Sequence, residues 1–230
     1  GAFDDLDAIS DIAQAHGIWH HVDAAWGGAV LFSKKYKFLL DGLERADSFS
    51  FDAHKMLGSS MVCSAFIVQD EAILPLTMAH TNQGDYLFDD PNRELSLGRI
   101  SPQCGRRADA LKLWLTWLDL GTKGLGERVE SCLDVSNHLA NLVKNHEDFT
   151  LVSHSFSNVC IRFTPQSGET QEEGDIRIRK ARNILENSGK SMVLDSVLDG
   201  LLVIRFTASH PSVDKAAAEK FLSDLLDADA

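Results

Sequence analysis

The first half of this sequence offers only three short apolar runs that can form strands, at 18–23, 47–51 and 62–68, and this shortage constrains the fold more than any other feature. Helical or loop segments separate the runs, which suits a parallel α/β sheet covered on both faces. Three strands alone would leave edge amides open and a helical layer incomplete. No glycine- and serine-rich phosphate cradle precedes them. The chain is therefore expected to be the back portion of a larger polypeptide.

The segment 4–16 carries Leu6, Ile9, Ile12 and Ala13 at helical spacing, with Gly17 placed to end the helix. A short amphipathic helix is expected around 35–40. From 80 to 99 the text turns polar and rich in turn formers, with Tyr86-Leu87-Phe88 at its centre. A stretch of that kind inside a compact domain is expected to be a mobile functional loop. Helix returns at 106–120, with Leu111, Trp114, Leu115 and Leu118 on one face, and Gly121 closes it. A long helix follows from about 126 to 146. Strands are then expected at 149–154, 158–164, 191–197 and 201–207, with helices at 175–188 and from 212. The sequence therefore divides into 1–120, the rear of a large sheet domain, and 121–230, a small α+β domain.

Charge and cysteine usage narrow the function. A net charge of −12 without clustered basic residues argues against nucleic-acid and anionic-membrane binding. No apolar run approaches the roughly 18–20 residues of a membrane span. The opening Gly1-Ala2-Phe3-Asp4-Asp5 is neither basic nor apolar, and Cys63, Cys104, Cys132 and Cys160 form no metal-finger spacing. Buried thiols in a reducing cytosol are the expectation. His20 and His21 are neighbours in a strand and point to opposite faces, so no metal site is expected.

Asp23 ends the first run beside Ala24 and Ala25, and Lys55 follows the second run. If the two strands are parallel neighbours, both residues lie at the carboxyl edge where open α/β sheets bind ligands. A lysine that can bond an aldehyde, a carboxylate that can keep a ring nitrogen protonated, and small residues on which a ring can lie flat meet the demands of a carbonyl cofactor. Taken alone, the pair is read first as a turn or cap aspartate and a solvated lysine.

His21-Val22-Asp23-Ala24-Ala25-Trp26-Gly27-Gly28 followed by Ser50-Phe51-Asp52-Ala53-His54-Lys55-Met56-Leu57 resembles the pyridoxal-phosphate-dependent decarboxylases of glutamate, cysteine sulfinate, aspartate, diaminobutyrate and aromatic amino acids. The likeness continues in collinear order through Tyr86-Leu87-Phe88, Gln103-Cys104-Gly105-Arg106-Arg107, Asn158-Val159-Cys160 and Val203-Ile204-Arg205-Phe206. It implies a fold-type I large domain, mostly parallel, and a homodimer with sites at the subunit interface. It also implies a role for each matching residue. Asp23 would pair with the pyridinium nitrogen of pyridoxal 5'-phosphate, and Ala25 would pack on the ring. Lys55 would hold the cofactor as a Schiff base, and His54 would help bind its phosphate or aldehyde region. Tyr86 would return a proton to carbon after carbon dioxide leaves, and Arg205 would bind the substrate α-carboxylate. Tyr86-Leu87-Phe88 with Gln103-Cys104-Gly105 looks most like the relatives that take acidic substrates: aspartate, cysteine sulfinate or glutamate. Diaminobutyrate is the alternative, and a carbon–carbon lyase of the sphingosine-phosphate type a more distant one. One position departs from the pattern. Most relatives place Asn-Pro before the His-Lys pair, whereas here Asp52-Ala53 stands there, and an acid beside a phosphate must be turned away or hydrogen-bonded.

Overall fold

The computed structural model describes residues 1–79, 98, 100, 101, 103 and 105–229. Tyr86, Cys104 and nearly all of the segment expected to be a mobile loop lie outside the described residues.

Helix α1 (Leu6–His16) begins where the Asp5 side chain accepts the Ala8 amide at 3.0 Å and ends at Gly17, whose φ of 61° lets its amide reach back to Ala13 and Gln14. Leu6, Ser10 and Ala13 are its buried face, while Ile9 and Ile12 are exposed, contrary to the periodicity read from the sequence. Strands β1 (His21–Asp23), β2 (Ser48–Asp52) and β3 (Ser64–Val68) form one sheet in the order β1-β2-β3. β1 and β2 are parallel, with Asp23 opposite Ser50. β3 runs antiparallel to β2, a departure from the expected parallel run. The cause is the connection: only 53–63 link the two strands, too short for the crossover of a dozen or more residues that a parallel pair needs. Between β1 and β2 the chain makes short 3-10 turns, Gly27–Phe32, Lys37–Leu40 and Leu43–Arg45, where one amphipathic helix was expected.

Helix α2 (Ile73–Ala79) follows β3. Helix α3 (Asp109–Lys144) joins the two helices expected at 106–120 and 126–146, with a kink at Gly121 (φ 65°, ψ 174°). The kink falls between the two helices that the sequence separates at Gly121. The arm before it exposes Leu111, Trp114, Leu115 and Leu118, the face expected to be apolar. The arm after it buries Leu125, Val129, Cys132, Ser136, Leu139 and Val143 at helical spacing. Gly126 permits that contact, because a Cβ there would stand 2.4 Å from the Phe32 carbonyl oxygen.

The rest is an antiparallel sheet, β4 (Phe149–Ser155), β5 (Asn158–Phe163), β7 (Leu201–Thr207) and β6 (Leu194–Leu198), in the order β4-β5-β7-β6. Helices α3 and α4 (Gln171–Asn187) pack on this sheet, and α5 (Lys215–Asp229) packs on both of them. The Thr170–Glu173 capping box starts α4, and Arg177 ties α4 to α5 through a bidentate pair with Asp229. Val22, Phe51, Met56, Leu139, Ile161, Ile178 and Ile204 belong to one continuous core, so both parts of the chain share a single apolar interior.

Leu139 is fully buried in this core. Leu139→Ala should cost about 2–5 kcal/mol, the range for deleting a leucine side chain that neighbours cannot replace. Urea unfolding of the full-length protein measures it, and a loss below about 0.5 kcal/mol would contradict the assigned core position.

Candidate functional site

The parallel pairing of β1 with β2 places Asp23 and the turn after Asp52 at the same sheet edge. The Asp52 amide donates to the Ala25 carbonyl at 3.1 Å, which fastens the turn carrying Ala25 to the turn carrying Lys55. Asp23 Oδ1 accepts the Ala25 amide at 3.0 Å, and this local turn fixes the carboxylate. Behind the turn, Gly28 lies so close to β2 that a Cβ would meet the Phe51 Cβ at 2.5 Å.

Two cavities meet at this edge, and both are lined by Trp26 and Lys55. The smaller, about 240 Å³, also takes in Asp23, Ala25, Gly27 and Phe156. The larger, about 540 Å³, also takes in Arg205, Thr207, Ser209 and Phe221. Lys55 thus stands between Asp23 and Ala25 on one side and Arg205 of β7 on the other. A recess of about 570 Å³ elsewhere, along Glu127, Glu130 and Asp134, holds none of these groups.

The polar groups here are set for a ligand. Arg205 Nε and Trp26 Nε1 are buried and have no hydrogen-bond partner among the described residues. Such donors cost free energy unless something accepts from them. A carboxylate suits a guanidinium, and Lys55 nearby suits a carbonyl, so the donor set fits a carbonyl cofactor with an amino-acid substrate. The Trp26 ring packs edge-on against Phe156, with centroids 6.3 Å apart, and Phe156 also meets Phe3 at 5.0 Å. Phe156 holds φ at 55°, the left-handed region that a bulky residue enters only when its surroundings impose it.

His54 lines neither cavity. Its Nδ1 lies 2.9 Å from the Cys63 carbonyl oxygen and 3.2 Å from the Cys63 amide, which turns that nitrogen toward β3. Asp52 occupies the space between: Oδ2 is 2.9 Å from Lys55 Nζ and 4.0 Å from His54 Nε2, and Oδ1 accepts the Ser64 hydroxyl at 2.6 Å. The Asp at the departing position is therefore hydrogen-bonded on both oxygens. Burial alone would push its carboxyl up, but the Ser64 hydrogen bond and the bond and charge of Lys55 outweigh burial and hold it below the usual carboxylate range.

Sequence reasoning singled out Asp23, Ala25, Lys55 and Arg205, which line these adjoining cavities, and His54, which does not. It assigned no role to Trp26, Phe156 or Ser64. Trp26 stood in the motif as part of a small-residue turn, while Ser64 reaches Asp52 only because β3 is antiparallel and pairs the two across the ladder. Cys63, Cys132 and Cys160 are buried and unbridged, with burial pushing Cys132 up to about 11 and Cys160 upward. His20 and His21 face apart, bonded to Ser10 and Ser48 respectively. No cluster of three or more metal-ligating side chains occurs among the described residues, and no described helix is long and apolar enough to cross a membrane.

Ser64→Ala should move the Asp52 titration upward, toward the ordinary value. A carboxyl with a depressed folded-state pKa contributes stability that is present above its unfolded pKa and lost as pH falls through the folded one. The variant should therefore begin to lose that contribution at higher pH than the parent. Carbon-13 shifts of the Asp52 carboxyl in cofactor-free protein follow this directly, and an unmoved midpoint would contradict the hydrogen bond's role.

Comparison with known proteins places this geometry. Residues 1–164 match the pyridoxal-dependent decarboxylase conserved domain. The chain is 45% identical over 177 residues to the cysteine sulfinic acid decarboxylase of Rattus norvegicus, covering 75% of this chain and 36% of that protein. It is 44% identical over 178 residues to the acidic amino acid decarboxylase GADL1 of Bos taurus, covering 76% and 34%. The crystal structure of mouse CSAD in apo form superposes with a TM-score of 0.89 at 33% identity, over 99% of this chain and 49% of that one. That of Oryza sativa TDC with PLP and tryptamine superposes with a TM-score of 0.88 at 27% identity, over 99% and 48%. The chain therefore spans about a third of these curated relatives and about half of these solved chains, and it belongs to the pyridoxal-dependent decarboxylase family.

Proposed function

We propose that the protein of which this chain is part decarboxylates an acidic L-amino acid (aspartate, cysteine sulfinate or glutamate) with pyridoxal 5'-phosphate. The observation that carries this reading is the position of Lys55, on the border of one cavity that holds Asp23 and Ala25 and another that holds Arg205, whose buried Nε has no hydrogen-bond partner among the described residues. The cysteine sulfinic acid and acidic amino acid decarboxylases among the relatives support the choice of an acidic substrate.

Pyridoxal phosphate, when bound, supplies an electron-accepting ring that stabilises the charge left as carbon dioxide departs. The chain's residues would do the rest. Lys55 would hold the cofactor through its aldehyde. Asp23, its orientation fixed by the Ala25 amide, would keep the ring nitrogen protonated, and Ala25 would offer a small surface to the ring. Arg205 would grip the α-carboxylate, because a planar two-pronged donor fixes a carboxylate's orientation. With Nδ1 turned to Cys63, His54 can reach the cofactor region only through Nε2. Tyr86 is assigned the proton return to carbon on the family resemblance. The exposed apolar face of α3 (Leu111, Trp114, Leu115 and Leu118) supports a larger assembly, in which the remainder of the polypeptide and a second copy complete the sites.

A substrate panel with the full-length protein, read by carbon dioxide release, tests the function. One of the three acidic amino acids should show the highest kcat/KM, and a preference for 2,4-diaminobutyrate or an aromatic amino acid would contradict the proposal. On the preferred substrate, Asp23→Asn should cost on the order of 3 kcal/mol or more in the barrier, because that carboxylate stabilises charge that grows in the transition state. Near-normal turnover in this variant would remove Asp23 from the site.

A further inference from the structure

Asp52 is the residue at which the sequence leaves its family's pattern, and the chain surrounds it with partners. β3 brings Ser64 opposite Asp52, and the Ser64 hydroxyl orients Oδ1 at 2.6 Å. The main-chain amide of Asp52 is fastened to Ala25. The other oxygen, Oδ2, is thereby aimed at Lys55 Nζ, 2.9 Å away and three residues along the turn. The Asp52 side chain is 17% exposed and that of Lys55 38%, so the pair is neither fully desolvated nor free in water. Among the described residues, the other charged side chains lining the cavities that Lys55 borders are Arg205 and Asp23. Asp23 is already engaged with the Ala25 amide, which leaves Asp52 as the carboxylate in contact with the lysine.

A lysine that carries a carbonyl cofactor must also leave it. When the substrate's amino group replaces Lys55 on the cofactor, the incoming ammonium gives up two protons and the departing lysine gains two, so Lys55 leaves as a full ammonium. That cation needs a place to go. We propose that Asp52 is the docking carboxylate for the released Lys55 ammonium, held in position by Ser64, and that it thereby favours transfer of the cofactor from the lysine to the substrate. The proposal rests on the cofactor reading given above. Asp52 is a positioning residue in this account.

The account has a thermodynamic signature that a structural role lacks. A group that stabilises the free lysine must oppose loading of the cofactor onto Lys55 and assist its displacement by another amine. Charge-assisted hydrogen bonds that are partly exposed change such equilibria by about threefold to tenfold. In the full-length protein, cofactor loading can be read as the fraction fixed to Lys55 by borohydride at limiting pyridoxal phosphate. Displacement can be read with methylamine, a probe independent of substrate identity, as the concentration that halves that fraction. Asp52→Asn should tighten loading by about threefold to tenfold and raise the half-displacing methylamine concentration by a similar factor. Ser64→Ala should move both quantities in the same directions by less. Weaker loading in Asp52→Asn, or no change in either quantity, would overturn the docking role alone. A parent protein with no label on Lys55 would overturn the cofactor reading, and the docking role with it.

Discussion

The candidate site depends on the parallel pairing of β1 with β2. Asp23 and Lys55 are 32 residues apart in the sequence, and only this register brings the turns that carry them to one sheet edge. Reversing one strand would send one of the two residues to the opposite edge, so no side-chain adjustment could restore the arrangement. The amide of Asp52 bonded to Ala25 extends the ladder by one step beyond β1, so the turn holding Lys55 is set by backbone geometry. Backbone hydrogen bonds that are satisfied in this way are costly to break in a buried setting, which gives a reactive side chain a rigid base.

The second half of the site comes from a different sheet. Arg205 sits on β7, an inner strand of the antiparallel sheet paired with both β5 and β6, and β7 is largely buried. Through Gly126 the long arm of α3 packs on the Gly27–Phe32 turn that follows β1, and it also packs on β4 and β5, so the distance from Lys55 to Arg205 is governed by packing and not by a flexible linker. Phe156 belongs to the same joint. It lies in the turn between β4 and β5, holds a left-handed backbone conformation, and presses its ring toward Trp26. Strained residues of this kind persist where the surrounding structure over-determines them.

Much of this was legible in the sequence. Helical spacing and an αL glycine marked α1, and alternating turn formers and apolar runs marked the second sheet. The motif residues Asp23 and Lys55 could be placed on a strand edge before any coordinates. Other features could not be read, for definable reasons. The antiparallel run of β3 follows from the length of its connection, a weak signal next to an apolar run that suits either direction, and with it went the Ser64–Asp52 contact. Ile9 and Ile12 obey helical periodicity yet are exposed, because periodicity reports apolar spacing and not which face finds a partner. His54 sits beside Lys55 in sequence, but a turn sends adjacent side chains in different directions, and its ring went to the Cys63 backbone.

The central claim is that Lys55, between Asp23 and Arg205, is the residue that holds pyridoxal phosphate. The most direct measurement is borohydride reduction of the loaded full-length protein followed by peptide mapping. The account predicts a phosphopyridoxyl group on the peptide containing His54-Lys55-Met56, at Lys55. A label at any other lysine, or none on the protein, would contradict it.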